Sequence, residues 1–340
     1  MSLIRALLLA VLLLPSALTA GLSAEEASTA IALFDSNTLA GWRYGPEAPH
    51  GWQMADGVLH GEQGVTPLLS GWTWGDVELA FRWSTSSGGE LTLSLPEAPA
   101  GQQGLALTLA ESDHAGGLSQ GDQKLFAGAK LGAGAEGWHD SVLRREKDRL
   151  SLTIDGQPWF EIHVPAKARY GLGLAIAKGE AKLSTLRASE PAGEPIFNGK
   201  DLSGWWTPGN LAGWGATPEA IVCLNKNGNY LRTEKEYANF TLSTTYKMAQ
   251  GGNSGVGIRT ARAGWPSGDG MELQLLDEKP GKPLTRHSTM ALYGNLEPIA
   301  KADRSEDWNR LVIKAEGYMI SAWVNGVLVQ QVNTSRLPEL

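Results

Sequence analysis

The amino-acid sequence predicts an all-β protein that consists of two tandem antiparallel β-sandwiches. Short segments with alternating apolar and polar residues follow one another, separated by Gly, Asn, Asp and Pro. After the N-terminal segment, no stretch shows the periodicity of an amphipathic helix. The second half of the chain also repeats motifs of the first half. We therefore expect two sandwiches of similar construction.

Length and charge limit the classes of function. A chain of 340 residues is long enough for two domains, each with its own core. The formal net charge of −7 and the lack of a long Lys/Arg run argue against nucleic acid as a partner. The single cysteine, Cys223, excludes an intramolecular disulfide. We expect it to be a small buried apolar residue in a strand.

Residues 1–23 have the composition of a secretory signal peptide. Arg5 precedes the apolar run ALLLAVLLLPSALTA, which is short for a bilayer span and ends in small residues. We expect cleavage near residues 20–24 and an exported protein, periplasmic or extracellular, without a membrane span.

The internal repeat extends over most of the remaining chain. LFDSNTLAGW begins at Leu33, and IFNGKDLSGW begins 163 positions later at Ile196. DVELAFRW and NFTLSTTY keep this offset. The later segments WHDSVLRREKDRLSLTIDG and WNRLVIKAEGYMISAWVNG, which begin at Trp138 and Trp308, are 170 positions apart. The larger offset predicts insertions in loops of the second copy.

The repeat defines two domains, residues 30–189 and residues 195–340, joined by the linker SEPAGEP. Each copy contains a two-residue hairpin signal, Asp155-Gly156 in the first and Asn325-Gly326 in the second.

Tryptophans occupy matching positions of the two copies. We expect four of them to anchor the cores: Trp42, Trp205, Trp138 and Trp308. Trp206 follows Trp205 and points to the opposite face of an extended strand, so it is a candidate for stacking on a ligand.

The stretch 253–277 is the main candidate for a functional site. NSGVGIR and MELQLLD both alternate with period two. If they pair in one sheet, Arg259, Glu272 and Gln274 share a polar face beside Gly257. A solvated outer face with an Arg–Glu pair across the strands is the alternative interpretation.

Several motifs in order resemble the 3-keto-disaccharide hydrolase domain: IFNGKDLSGWW, YLRTEKEYANFTL, NSGVGIR, GMELQLLD, ALYG and DWNRLVI with the later VNG. The likeness is strong over residues 195–340 and weak over residues 32–187. It implies two concanavalin A-like jelly rolls with the ligand on the concave face. It also implies action on glycosides oxidised at C3, by β-elimination of the C1 substituent and hydration.

Such a reaction needs a base, an electrophile at the ketone oxygen and a proton donor for the leaving group. The resemblance suggests Glu272 as the base or a metal ligand, and Arg259 as the donor to the enolate oxygen. His287 is a candidate acid, base or metal ligand. Tyr293 is a candidate donor to the leaving oxygen.

Further residues are expected to bind the sugar: Gln274, Asn253, Trp206, Tyr293 and Glu234. A lone loop histidine is more often a surface residue, and this is the alternative interpretation of His287. A divalent metal ion is possible, although no tight ligand spacing is present. We expect no other cofactor.

At an offset of 166 the first copy has other residues at three of these positions: Leu93 for Arg259, Ala106 for Glu272 and Thr108 for Gln274. This difference predicts a non-catalytic first domain. In the family the domain closes with a further strand pair, for which residues 170–189 are the counterpart in the first copy. We expect the second domain to lack these last strands.

Two other functions remain open. The protein could be a non-catalytic carbohydrate-binding, lectin-like module or a cell-surface interaction protein. It could also be an inactive relative of the enzymes.

Overall fold

The computed structural model describes residues 30–34, 38–44, 51–98, 104–165, 169–191, 193–224, 230–262, 264–278 and 281–337. The expected signal peptide lies outside these ranges. Within them, no helix has both the length and the apolar character needed to cross a membrane.

Residues 30–189 form the first sandwich. Its strands are β1 (Ile31–Ala32), β2 (Trp42–Tyr44), β3 (Gln53–Ala55), β4 (Val58–Glu62), β5 (Leu68–Ser70), β6 (Val77–Thr85), β7 (Glu90–Leu95), β8 (Glu97–Ala98), β9 (Leu105–Leu109), β10 (Leu118–Gln120), β11 (Gln123–Phe126), β12 (His139–Glu146), β13 (Arg149–Ile154), β14 (Gln157–His163), β15 (Arg169–Tyr170), β16 (Gly173–Lys178) and β17 (Glu180–Ser189).

Two antiparallel sheets face each other in this sandwich. One has the order β14-β13-β12-β6-β17-β4-β3, with β1 beside β17, and the other has the order β11-β10-β9-β7-β16-β5-β2. In each strand, every second side chain points into the core between the two sheets. In β7, for example, Leu91, Leu93 and Leu95 are buried while the residues between them are half-buried.

The second half begins after the linker. Its elements are β18 (Trp205–Trp206), β19 (Trp214–Ala216), β20 (Ile221–Cys223), β21 (Arg232–Thr233), β22 (Phe240–Lys247), β23 (Asn253–Ile258), the one-turn helix α1 (Pro266–Asp269), β24 (Met271–Leu276), β25 (Trp308–Glu316), β26 (Met319–Val324) and β27 (Val327–Asn333). The sheets are β22-β25-β26-β27, β23-β24, β18-β21 and β19-β20. The expected all-β fold of two tandem jelly-roll sandwiches is confirmed. In the second sandwich the described strands form four separate sheets.

Strand register shows that the two halves repeat the same structure. Two residue pairs of the first half recur in the second. The pair of Trp42 with Ser70 corresponds to that of Trp205 with Thr233, and the pair of Leu79 with Leu143 corresponds to that of Leu242 with Ile313. The offsets are those found in the sequence, 163 before the loops and 170 after them. The strands β2, β5, β6 and β12 therefore correspond to β18, β21, β22 and β25.

The predicted correspondence of Leu93 with Arg259 is wrong. Leu93 pairs with Leu107 and is buried in the core, whereas Val256 pairs with Leu273 on the core side of β23. The sequence offset between β7 and β23 is 163, whereas that between β9 and β24 is 166. The three extra residues of the second copy therefore lie in the loop between β23 and β24.

Both hairpin predictions are confirmed. Asp155 and Asn325 each have a φ of 50°, and Gly156 and Gly326 follow with φ of 73° and 84°. Two successive residues with positive φ make the tight turn that suits the right-handed twist of paired strands.

The strands β25, β26 and β27 of the sheet β22-β25-β26-β27 are buried on both faces. Leu311 and Ile313 pack with β23 and β24 in the second core. Val312 and Trp323, on the other face, belong to the core of the first sandwich. The Trp323 ring lies 5.5 Å from that of Trp72, and its Nε1 donates to the Ala32 carbonyl oxygen at 3.1 Å. The two sandwiches therefore pack together through an apolar contact.

Ion pairs surround this contact. Lys314 Nζ lies 2.6 Å from Glu190 Oε1. Arg169 Nε lies 3.0 Å from Glu316 Oε1. Since Lys314 is buried, its pairing with Glu190 offsets the cost of removing the ammonium group from water.

The expectation that four tryptophans anchor the cores is wrong for Trp308. Trp42 is buried, Trp138 and Trp205 are half-buried, and Trp308 is 48% exposed. Trp308 begins β25, where the sheet ends and no facing layer covers the side chain. Cys223, expected to be buried, is exposed in β20, whose sheet has only two strands.

We expect Trp323→Ala to lower the free energy of unfolding by about 3–5 kcal/mol, since it leaves a cavity between the sandwiches. Trp308→Ala is the matched control and should change it by only about 0.5 kcal/mol, because this side chain is half exposed. Guanidinium chloride denaturation measures both values. Equal losses in the two variants would contradict a shared core.

Candidate functional site

A cleft of about 1970 Å³ opens beside β22 and β23. Both sandwiches contribute to its walls. Trp74 and Arg169 come from the first, and Glu272, Arg259 and Tyr293 come from the second, while Glu190 belongs to the linker.

The pairing of β23 with β24 determines which side chains face the cleft. Gly255 lies opposite Gln274, and Gly257 lies opposite Glu272. Leu273 on the other face is fully buried in the second core. The prediction that these two runs pair and place Glu272 and Gln274 on one face is confirmed.

Glycine makes room for the Glu272 carboxylate. A Cβ atom at Gly255 would overlap Glu272 Oε1, so the carboxylate lies over this glycine. Burial raises the pKa of the Glu272 carboxyl above its ordinary value, and a hydrogen bond with the Ser267 side chain lowers it in part. A carboxylate with a raised pKa is a stronger base.

The loop before β24 brings Ser267 to this carboxylate. Pro266 begins α1 and packs over Gly257, where a Cβ would lie 2.8 Å from Pro266 Cβ. The Trp265 amide donates to Asp269 Oδ2 at 2.8 Å and closes the turn. Sequence reasoning missed Ser267, because a serine in a Gly/Pro-rich loop carries no periodic signal.

Two residues beside and within β21 hold the same loop from the other side of the cleft. The Tyr230 hydroxyl donates to the Gly264 carbonyl oxygen at 2.6 Å. Arg232 Nη1 donates to the Ala261 carbonyl oxygen at 2.9 Å. These bonds fix the position of the loop that carries Ser267.

Gln274 and Asn253 form one polar unit. Gln274 is 2% exposed, and its Nε2 donates to Asn253 Oδ1 at 3.0 Å. Both side chains line the cleft, and Asn253 is the more exposed of the two. The pair can present an amide to a hydroxyl-rich ligand.

Arg259 lies just after the end of β23. Its φ of 53° takes the chain out of the strand, so strand alternation no longer directs its side chain. Nε and Nη2 donate to the Ala238 carbonyl oxygen at 3.3 and 3.0 Å. The guanidinium still lines the cleft.

Tyr293 and His287 contact each other beside β24. The Tyr293 amide donates to the Glu272 carbonyl oxygen at 2.9 Å, and the tyrosine lines the cleft. The exposed His287 ring packs edge-on against the Tyr293 ring at 5.0 Å and is not among the described residues of the wall. The backbone of Tyr293 is thus bonded to β24 at Glu272.

The Trp206 ring packs against two arginine side chains. The guanidinium carbons of Arg232 and Arg262 lie 5.8 and 5.7 Å from its ring centroid. The aromatic surface in the cleft comes instead from Trp265, which is 50% exposed and packs edge-on against Tyr230 at 5.4 Å.

Glu234 is exposed, and its amide donates to the Gly204 carbonyl oxygen at 2.8 Å. It does not belong to the described wall of the cleft. In the described ranges, no group of three or more His, Cys, Asp or Glu is arranged to hold a metal ion.

The first sandwich has a different face at the equivalent position. Thr92 pairs with Thr108, and Ser94 pairs with Ala106, in the register of the two glycines with Gln274 and Glu272. Side chains fill this face where glycine leaves it open in the second sandwich. Glu90, the first residue of β7, keeps a carboxylate at the end of this strand. Its Oε1 lies 2.7 Å from Lys178 Nζ.

Residues 193–339 match the model of a family described as the 3-keto-alpha-glucoside-1,2-lyase-like domain. The resemblance predicted for residues 195–340 is thereby confirmed. Curated protein sequences contain no significant match to the chain.

Solved structures include similar folds. A β-glucanase from Bacillus licheniformis is 11% identical with a TM-score of 0.38, over 47% of this chain and 97% of that chain. The carbohydrate-binding module CBM66 from Bacillus subtilis is 14% identical with a TM-score of 0.37, over 46% of this chain and 100% of that chain.

We expect Ser267→Ala to raise the pKa of Glu272 further, since the variant removes a hydrogen bond that favours the charged carboxylate. Titration of the carboxyl carbon signals by NMR measures this change. Ser335→Ala, in the 3-10 turn at Thr334–Arg336, is the control and should leave the pKa of Glu272 unchanged. An unchanged or lowered pKa in Ser267→Ala would contradict the assigned hydrogen bond.

Proposed function

We propose that residues 193–339, a segment of the 3-keto-alpha-glucoside-1,2-lyase-like family by its sequence match, cleave 3-keto-glycosides in the cleft beside β23 and β24. The observation that carries this proposal is the environment of Glu272. Its carboxylate lies half-buried over Gly255, and burial raises its pKa. A base in this position suits abstraction of a proton next to a ketone.

The chemistry follows from the ketone at C3. The carbonyl acidifies the C2 proton, which Glu272 removes, and the electron pair forms an enolate. The enolate then expels the C1 substituent, which takes up a proton as its C1–O bond breaks. Water adds to the resulting enone, with hydroxide at C1 and a proton at C2. The net reaction is hydrolysis of the glycoside.

Other residues of the cleft support each step of this proposal. Arg259 Nη1 has no partner among the described residues and is available for the enolate oxygen. Tyr293 lines the cleft and its amide donates to the Glu272 carbonyl oxygen, and its hydroxyl is our candidate donor to the leaving oxygen. The Gln274–Asn253 pair is assigned to the sugar hydroxyls.

A second function, binding without turnover, is favoured by one observation. Trp265 is half exposed on the cleft wall beside Tyr230, and such a ring stacks on the apolar face of a sugar. A lectin-like module needs this platform and the polar pair but no base. We also propose export of the protein, which rests on the composition of residues 1–23.

We expect Glu272→Gln to lower kcat/KM for a chromogenic 3-keto-glucoside by about 10²–10⁴-fold, since the amide cannot remove a proton. Glu236→Gln is the matched control, because Glu236 is an exposed carboxylate of the same cleft, and it should retain activity. Turnover that survives Glu272→Gln would remove Glu272 from its role. Sugar binding without turnover in the unaltered protein would favour the lectin-like function.

We expect kcat/KM to fall as the pH drops through the raised pKa of Glu272. Only the ionised carboxylate accepts a proton, so the acid limb should lie above the ordinary glutamate value of about 4.3. Ser267→Ala should move this limb to higher pH, because it raises the pKa further. A limb that moves to lower pH in this variant would contradict the role of Glu272 as the base.

A further inference from the structure

Two arginines on the wall of the cleft have no role in the reaction proposed above. Arg232 in β21 is half-buried, and Arg262 in the loop after β23 is exposed. Their guanidinium carbons lie 5.8 and 5.7 Å from the centroid of the Trp206 ring. Both positive charges therefore lie beside one ring, and an anion bound there would be attracted by both.

Neither arginine forms an ion pair within the part of the chain that the structure describes. Arg232 Nη1 donates to the carbonyl oxygens of Ala261 and Arg262 at 2.9 and 2.5 Å, which leaves Nε and Nη2 without a described partner. The Arg262 guanidinium has no described hydrogen bond. The nearby carboxylate of Asp269 accepts instead from the Trp265 amide.

The strand register places Arg232 on the same face of its sandwich as Glu272. Arg232 corresponds to Leu69 of β5 in the first sandwich. Glu272 corresponds to Ala106 of β9. β5 and β9 belong to one sheet, and both residues point away from the core, with Leu69 41% exposed. Since a leucine serves in the first sandwich, folding of this sheet does not require a cation at the position of Arg232.

The loop between β23 and β24 connects the arginines with the proposed base. Arg262 lies near its beginning, the half-exposed Trp265 lies in its middle, and Ser267 bonds to Glu272 near its end. Burial and the bond with Ser267 are what shift the pKa of Glu272, and neither arginine contributes to that shift. The arginines are therefore placed to contact a part of the ligand that is remote from the proton removed by Glu272.

We propose that Arg232 and Arg262 bind an anionic group on the C1 substituent of the glycoside, so that the site prefers substrates with a negatively charged C1 substituent. This inference rests on the proposed function, which places ring atoms C1 to C3 beside Glu272. The substituent on C1 extends from there along the loop, past Trp265, to the guanidinium groups. A guanidinium presents N–H donors in one plane, which match the paired oxygens of a carboxylate, sulfate or phosphate.

Binding of glucosides without the 3-keto group to the full chain tests the proposal. Without the ketone the C2 proton is not acidic, so no elimination follows. The 4-carboxyphenyl glucoside carries the anion, and the 4-carbamoylphenyl glucoside is its neutral match. We expect the acid to bind about tenfold more tightly than the amide in isothermal titration calorimetry, because its hydrogen bonds are charge-assisted. The net charge of −7 would by itself repel the acid, and the preference should weaken as salt is added.

Three variants locate the anion. Arg262→Gln should lower the affinity for the acid about tenfold and leave that for the amide unchanged, because the Arg262 side chain makes no described hydrogen bond that holds the loop. Arg232→Gln also removes a bond to the Ala261 carbonyl oxygen, so its effect is measured as the ratio of the two affinities, which should fall. Arg304→Gln is the matched control, since Arg304 is exposed and lies outside the described wall of the cleft, and it should leave the ratio unchanged.

Failure of the acid to bind more tightly than the amide would overturn the proposal. A preference that survives both Arg262→Gln and Arg232→Gln, or that Arg304→Gln reduces equally, would also overturn it. These measurements involve no turnover, so the two proposals can fail separately. A preference for the acid without turnover of 3-keto-glucosides would support the anion site and contradict the proposed reaction, and turnover without this preference would do the reverse.

Discussion

The strands β25, β26 and β27 are buried on both faces, and the rest of the second sandwich depends on this. One face holds β23 and β24 through Leu311 and Ile313, and the other packs on the first sandwich through Trp323. The facing sheet β23-β24 has only two strands, and the strands β25–β27 gain further apolar contacts from the first sandwich. The first sandwich thus acts as a support for the candidate site, and its residues Trp74 and Arg169 line the cleft.

Features encoded by local chemistry could be predicted from the sequence. Alternation in residues 253–277 gave the faces of β23 and β24, because successive side chains of a strand must point to opposite sides. Asn325-Gly326 gave a hairpin, because both residues tolerate positive φ. The repeat gave the correspondence of strands, since a shift by one residue would expose a core face.

Features set by tertiary packing could not be predicted in this way. Arg259 leaves its strand at a positive φ and still lines the cleft, so strand alternation does not account for the direction of its side chain. Trp308 matches Trp138 in the repeat but begins a strand where no layer covers it. The approach of Ser267 to Glu272 depends on bonds from Tyr230 and Arg232 to a loop. Neither hydrophobic periodicity nor a turn motif in the sequence indicates any of these three features.

Gly255 of β23 is best explained by the Glu272 carboxylate that lies over it, and Gly257 by the close approach of Pro266. Glycine in a strand interior costs about 0.5–1 kcal/mol relative to alanine, so two cost about 1–2 kcal/mol. The first sandwich avoids this cost with Thr92 and Ser94 at the same register positions and folds in the same way. Folding therefore does not require glycine here. A Cβ at Gly255 would displace the Glu272 carboxylate, and the open floor keeps this buried group in a place that a ligand can reach.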